Sequence, residues 1–120
     1  MSRDLGRFGE SWAVGFLTRQ GYQIVDRNVR YRVGEIDIVA RDNECLVFVE
    51  VKCRRGARYG APEASLTPRR FSHLEAAIDH YLQDHGLEEE YRLDVVAIEV
   101  DTGGRVSSCK LLRAVGAPGA

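Results

Sequence analysis

This sequence is poor in cysteine and has no long apolar run. Its three cysteines, Cys45, Cys53 and Cys109, are an odd number without a CxxC pair. That argues against a disulfide framework and against a zinc finger, and leaves three reduced thiols in or beside strands as the expectation. The apolar runs fall far short of a bilayer span. Met1-Ser2-Arg3-Asp4 leads into an amphipathic stretch and not into a signal-peptide core. A cytoplasmic protein without membrane contact is expected. Internal repeats and linkers are missing too. An excess of one charge is also absent, because 17 basic and 18 acidic side chains leave a net charge of −1. The protein as a whole therefore does not announce a polyanionic partner. The histidines His73, His80 and His85 all fall on one predicted helix, with His73 and His80 two turns apart. They read as solvated helix residues and not as shared metal ligands.

What is present fits one globular domain: 44% of residues are hydrophobic and 29% charged. The domain is expected over residues 1–113, with residues 114–120 as a flexible tail. Leu5, Phe8, Trp12, Ala13, Phe16 and Leu17 recur at helical spacing, and Gly21 follows as a stop. A first strand starts at Tyr22 and runs towards Val29 or Tyr31. Gly34–Ala40 and Leu46–Lys52 read as a second and third strand around the polar turn Asp42-Asn43-Glu44. Thr67-Pro68 is an N-cap followed by proline at the first helical position. Phe71, Leu74, Ile78, Tyr81 and Leu82 stripe that second helix, which Gly86 closes. Leu93–Val100 and Val106–Leu112 are strands joined through Thr102-Gly103-Gly104. The order α-β-β-β-α-β-β predicts an α/β fold, a mixed sheet flanked by helices.

Charges sit in the middle of two of these strands. Glu35 and Asp37 lie in the second, and Glu50 and Lys52 in the third. Charges inside core-like strands are costly unless something compensates them. Placing Ile36, Ile38 and Ala40 opposite Val51, Val49 and Val47 makes one face uniformly apolar. The same register sets Asp37 opposite Glu50, and Glu35 opposite Lys52. Like charges directly opposed destabilise a sheet, and a cation between them reverses the sign. Magnesium suits two carboxylates at that spacing. The competing reading is a pair of ordinary salt bridges on a solvated face. For Glu35 a structural ion pair with Lys52 and a secondary role in the site weigh equally. Glu10 lies at the edge of the first helix's stripe and reads as a surface glutamate unless that helix packs beside the open end of the hairpin.

Positive charge gathers just downstream. Arg54, Arg55 and Arg58 follow Lys52 on a glycine-rich stretch, and Arg69 and Arg70 open the second helix, where cations oppose the macrodipole. Helix N-termini also bind phosphate through backbone amides. Together these residues suit nucleic-acid phosphates, with affinity but little sequence specificity. A solvated loop and helix start is the plainer alternative.

Gly9-Glu10 with Ala13, Gly21-Tyr22, Arg27-Asn28, Gly34-Glu35-Ile36-Asp37, Phe48-Val49-Glu50-Val51-Lys52 with Arg54, and Arg92-Leu93-Asp94-Val95-Val96 resemble the YraN-like family of small bacterial proteins. That family has the restriction-endonuclease-like, PD-(D/E)xK fold and is related to Holliday-junction resolvases. The resemblance implies Asp37, Glu50 and the carbonyl of Val51 as ligands of Mg2+ or Mn2+, with Lys52 as catalytic lysine. Glu10 matches a helix-one glutamate of the resolvases and is expected to complete the catalytic set with Asp37, Glu50 and Lys52, through a metal-bound water. The expected function is a metal-dependent nuclease acting on DNA, branched or structured DNA by analogy, and the analogy favours a homodimer. The rival expectation is a nucleic-acid-binding or assembly module on the same fold that does not cut.

Overall fold

Seven elements follow in the expected order, in a computed structural model that describes residues 3–56 and 66–115. Helix α1 spans Arg3–Arg19. Strands β1 (Gln23–Tyr31), β2 (Gly34–Asp42) and β3 (Cys45–Arg55) follow. Helix α2 spans Pro68–Asp84, and β4 (Tyr91–Val100) and β5 (Val106–Leu112) complete the chain. The five strands form one sheet in the order β1-β2-β3-β4-β5. Every neighbouring pair is antiparallel except β3 and β4. A parallel pair needs a crossover, and α2 supplies it.

Local chemistry sets the helix ends. The Thr67 hydroxyl accepts from the Arg70 amide at 3.1 Å, and Pro68 follows at the first helical position. Gly21 and Gly86 stop the two helices at φ of +93° and +64°. The helices cover opposite faces of the sheet. On one side Leu5, Ala13 and Leu17 of α1 pack on Ile38, Ala40, Val47, Val49 and Val96. On the other, Leu74, Ala77, Ile78 and Tyr81 of α2 pack on Ile36, Val39, Leu46, Phe48 and Leu93. His80 and His85 are exposed, as expected, and also stack on Tyr31 and Tyr81 at centroid distances of 4.1 and 3.9 Å. All three cysteines are free thiols.

The register of β2 on β3 is the expected one, with Ile38 opposite Val49 and Ala40 opposite Val47. Two details differ from expectation. The ladder ends at Ile38, and the alternation breaks beside it: Ile36 joins the α2-side core while Ile38 joins the α1-side core. Asp37 sits at the break, and its side chain replaces the missing ladder bond. Glu35 does not face Lys52. It pairs across β1 with Arg30 at 3.8 Å, because β2 has already parted from β3.

A second buried polar cluster closes the other end of the sheet. Asp94 is fully buried, accepts from the Tyr22 hydroxyl at 2.7 Å and from Arg92 Nε at 2.9 Å, and Arg92 reaches Asp42 at 2.9 Å. Its hydrogen bond to Asp94 pushes the Arg92 pKa up. Ala114 and Val115, expected in the tail, are tied here: their amides donate to Asp94 Oδ1 and to the Leu93 carbonyl. Tyr22→Phe should cost about 1–3 kcal/mol, since it strips a donor from a buried carboxylate. Chemical denaturation monitored by circular dichroism checks that value. Gly34 is a tighter constraint, for a Cβ there would stand 2.4 Å from the His73 carbonyl oxygen. Gly34→Ala should therefore push the β1–β2 turn off α2 and lower stability by about 1–3 kcal/mol, measured the same way.

Candidate metal and phosphate site

The fork between β2 and β3 is where the charged side chains converge. Glu50 stands mid-strand on β3, only 2% exposed, on the face that α2 covers. A carboxylate there needs a partner. The first turn of α2 provides one: Arg70 donates from Nε to Oε2 at 2.8 Å and from Nη2 to Oε1 at 2.6 Å. This bidentate fork-to-fork contact is the strong form of the pair. It also explains the cations at the start of α2. Arg70 opposes the macrodipole but is held by Glu50, and that bond raises its pKa. Lys52 lies two residues along the same face, with Nζ 3.4 Å from Glu50 Oε2 and about a third of the side chain exposed (32%).

Asp37 comes in from β2. Its Oδ2 accepts from the Val51 amide at 2.8 Å, where the ladder would have continued. Burial pushes its pKa up to about 7, and the neighbouring Glu50 charge adds to the shift; the Val51 amide and Arg70 pull the other way. The carboxylate is poorly solvated first of all, and the second negative charge beside it adds to the cost of ionising it. In an extended strand the N–H and C=O of one residue point to the same side. Since the Val51 amide faces Asp37, its carbonyl faces the same open fork. Two carboxylates and a carbonyl are hard oxygen donors of the kind magnesium takes. The donor set fits a small divalent cation, provided Arg70 yields part of Glu50.

Glu10 does not join this group. Among the described residues no three of His, Cys, Asp and Glu gather into a metal-holding cluster. Glu10 is nonetheless buried and not a surface residue, and Arg27 Nε donates to it at 3.4 Å. Arg55 and Arg69 are exposed and Arg54 is half-buried. Arg58 lies outside the described residues. Arg70 is not a free phosphate ligand here, because its guanidinium is engaged by Glu50. Sequence reasoning missed that clamp, although an arginine placed against the helix dipole was its signal. A cavity of about 630 Å3 lies elsewhere, between α2 and β4, lined by Phe71, Ile78, Leu82 and Leu93, and it holds none of the site residues.

The model of the family described as "Uncharacterised protein family UPF0102" matches residues 9–98. That span contains Glu10, Asp37, Glu50, Lys52 and Arg70. The chain belongs to the UPF0102 family. Among similar proteins, a UPF0102 protein of Symbiobacterium thermophilum is 46% identical over 114 residues, 94% of this chain and 96% of the relative. A UPF0102 protein of Caldicellulosiruptor bescii is 37% identical over 113 residues, covering 92% and 95% of the two chains. One from Dehalococcoides mccartyi is 43% identical over 99 residues, 82% of each. The UPF0102 match thus runs from within α1 through most of β4, both sides of the fork included. No helix of the described residues is long and apolar enough to cross a membrane.

Proposed function

We infer that this UPF0102 protein is a nucleic-acid-binding, nuclease-like protein of the cytosol that uses Mg2+ or Mn2+ to hydrolyse phosphodiester bonds in DNA. The observation that carries this reading is a pair of neighbouring carboxylates, half-buried Asp37 and buried Glu50, at a broken ladder with Lys52 beside them. Asp37, Glu50 and the Val51 carbonyl would hold the cation, which when bound supplies Lewis-acid stabilisation of charge on the phosphoryl oxygens. Lys52 is partly exposed and sits at the mouth of the site. Its ammonium would orient an attacking water or stabilise anionic oxygen. Burial of Glu50 and the fixed Asp37–Val51 bond keep the carboxylates from turning to solvent. Glu10, one step removed and paired with Arg27, would act as a positioning residue for the fork. Arg54, Arg55, Arg58 and Arg69 would hold the phosphate backbone. Branched or structured DNA is the substrate that resolvase analogy favours, as is action as a dimer.

A specific observation also favours the non-cutting reading. Both Glu50 oxygens are already neutralised by Arg70 and Lys52, and Glu10 stays apart. Labelled four-way, duplex and single-stranded DNA incubated with magnesium or manganese separates the two. The nuclease reading expects cleavage that falls about 100-fold or more in Lys52→Ala and disappears in Asp37→Asn. DNA binding without cleavage, and no manganese binding by calorimetry, would leave the binding module.

A further inference from the structure

The β1–β2 hairpin ends in the two-residue turn Arg32-Val33, closed by the pairing of Tyr31 with Gly34. Such turns favour Asn or Gly at positive φ, because that twist matches the strands they join. Arg32 and Val33 are neither type, and neither has a positive φ. Val33 is 46% exposed, a β-branched apolar side chain held in water at a tip. The turn therefore lies outside those classes, and its own backbone does not call for an apolar side chain exposed at the tip.

The tip carries two arginines, Arg30 at the end of β1 and Arg32 in the turn, with Glu35 across from Arg30 on β2. The Arg30 side chain is 73% exposed and, among the described residues, has Glu35 as its ion-pair partner, itself 54% exposed, at 3.8 Å. Exposed pairs of that kind contribute little, so Arg30 can exchange its partner. Arg32 is exposed. The tip is also rigidly mounted. Gly34 lies flat against the His73 carbonyl of α2, and Ile36 is fully buried. Arg70 Nη2 reaches the Glu35 carbonyl at 3.4 Å with the same nitrogen that binds Glu50. One side chain therefore ties the base of the hairpin to the carboxylate site.

We propose that the Arg30–Val33 tip is a nucleic-acid contact in which Arg30 and Arg32 take backbone phosphates and Val33 packs on an unstacked base. The partner it selects is DNA with an open base step, at a junction, flap or end, over continuous duplex. An apolar wedge costs unstacking energy, and the cost is least where the stack is already broken. This contact rests on the DNA reading above, and binding is its readout, separate from cleavage.

Fluorescence anisotropy with labelled four-way junction and linear duplex, in EDTA and over a salt series, tests it. Arg30→Gln/Arg32→Gln should bind both DNAs at least about 10-fold more weakly near 0.1 M salt, and flatten the log–log salt slope by about 2. Val33→Asn replaces an exposed side chain with a polar one that turns accept. It should keep the slope but lose the preference for junction over duplex. Native-like binding by both variants overturns the contact. A native chain that binds but never cuts leaves the contact standing and removes the nuclease reading. A native chain that binds no DNA overturns both.

Discussion

Arg70→Ala should destabilise the protein by about 3 kcal/mol or more when no divalent cation is present, because it strands a buried carboxylate without its bidentate partner. Glu50 is 2% exposed and cannot turn to water. Lys52, 3.4 Å away, compensates in part, which sets the expectation at the lower end of the range for broken buried pairs. Magnesium or manganese should restore stability to the variant more than to the native chain. The cation then takes over the charge that Arg70 supplied, and stability rises with the logarithm of its concentration over Kd. The double variant Glu50→Gln/Arg70→Ala should be more stable than Arg70→Ala alone, since the uncompensated charge has gone. Urea melts with and without manganese read all three expectations. An Arg70→Ala chain that melts like the native one would mean Glu50 finds its neutralisation elsewhere.

Asp37→Asn should stabilise the fold at pH 8 and abolish cation-linked stabilisation. The Asp37 carboxyl has a folded pKa of about 7 against an ordinary 3.8. Between those values the folded chain binds more protons than the unfolded one, so this group's contribution to stability falls as pH rises from about 4 to about 7. Above that window both states are ionised and the loss is complete. Asparagine stays neutral and its amide oxygen still accepts from Val51. The gain from Asp37→Asn should therefore be near zero at pH 3–4 and reach about 2–4 kcal/mol at pH 8. A divalent cation reverses the sign for the native chain, because it requires the ionised carboxylate and binds more tightly as pH rises towards 7. Thermal melts of both chains from pH 4 to 8, with and without manganese, test the pattern. A gain that does not grow with pH would mean that burial does not raise the Asp37 pKa in the folded chain. Stability given up at a site in this way is the usual mark of a group retained for binding or chemistry.

The order of elements, the caps at Thr67-Pro68, the stops at Gly21 and Gly86 and the β2–β3 register were all legible in the sequence. Each rests on short-range rules: period 3.6 or 2 in apolar residues, N-cap chemistry, and glycine where φ turns positive. The register followed because a one-residue slip would have turned Val47, Val49 and Val51 of β3 to the wrong face. The same logic placed Asp37 beside Glu50. It failed one step further along, where it set Glu35 against Lys52. Strand alternation assumes an unbroken ladder, and β2 leaves β3 after Ile38.

What the sequence by itself determined was therefore the set of strands and helices and the meeting of two carboxylates, because these depend on residues close in the chain or joined by a tight turn. Tertiary structure alone decided which cation answers them. Arg70 is 20 positions from Glu50 and is carried there only by the packing of Leu74, Ala77 and Ile78 on the sheet. It likewise buried Glu10 and set Arg27 of β1 against it, on the face of the sheet that α1 covers. Side-chain partners across layers depend on how helices dock, and no local period in the sequence encodes that.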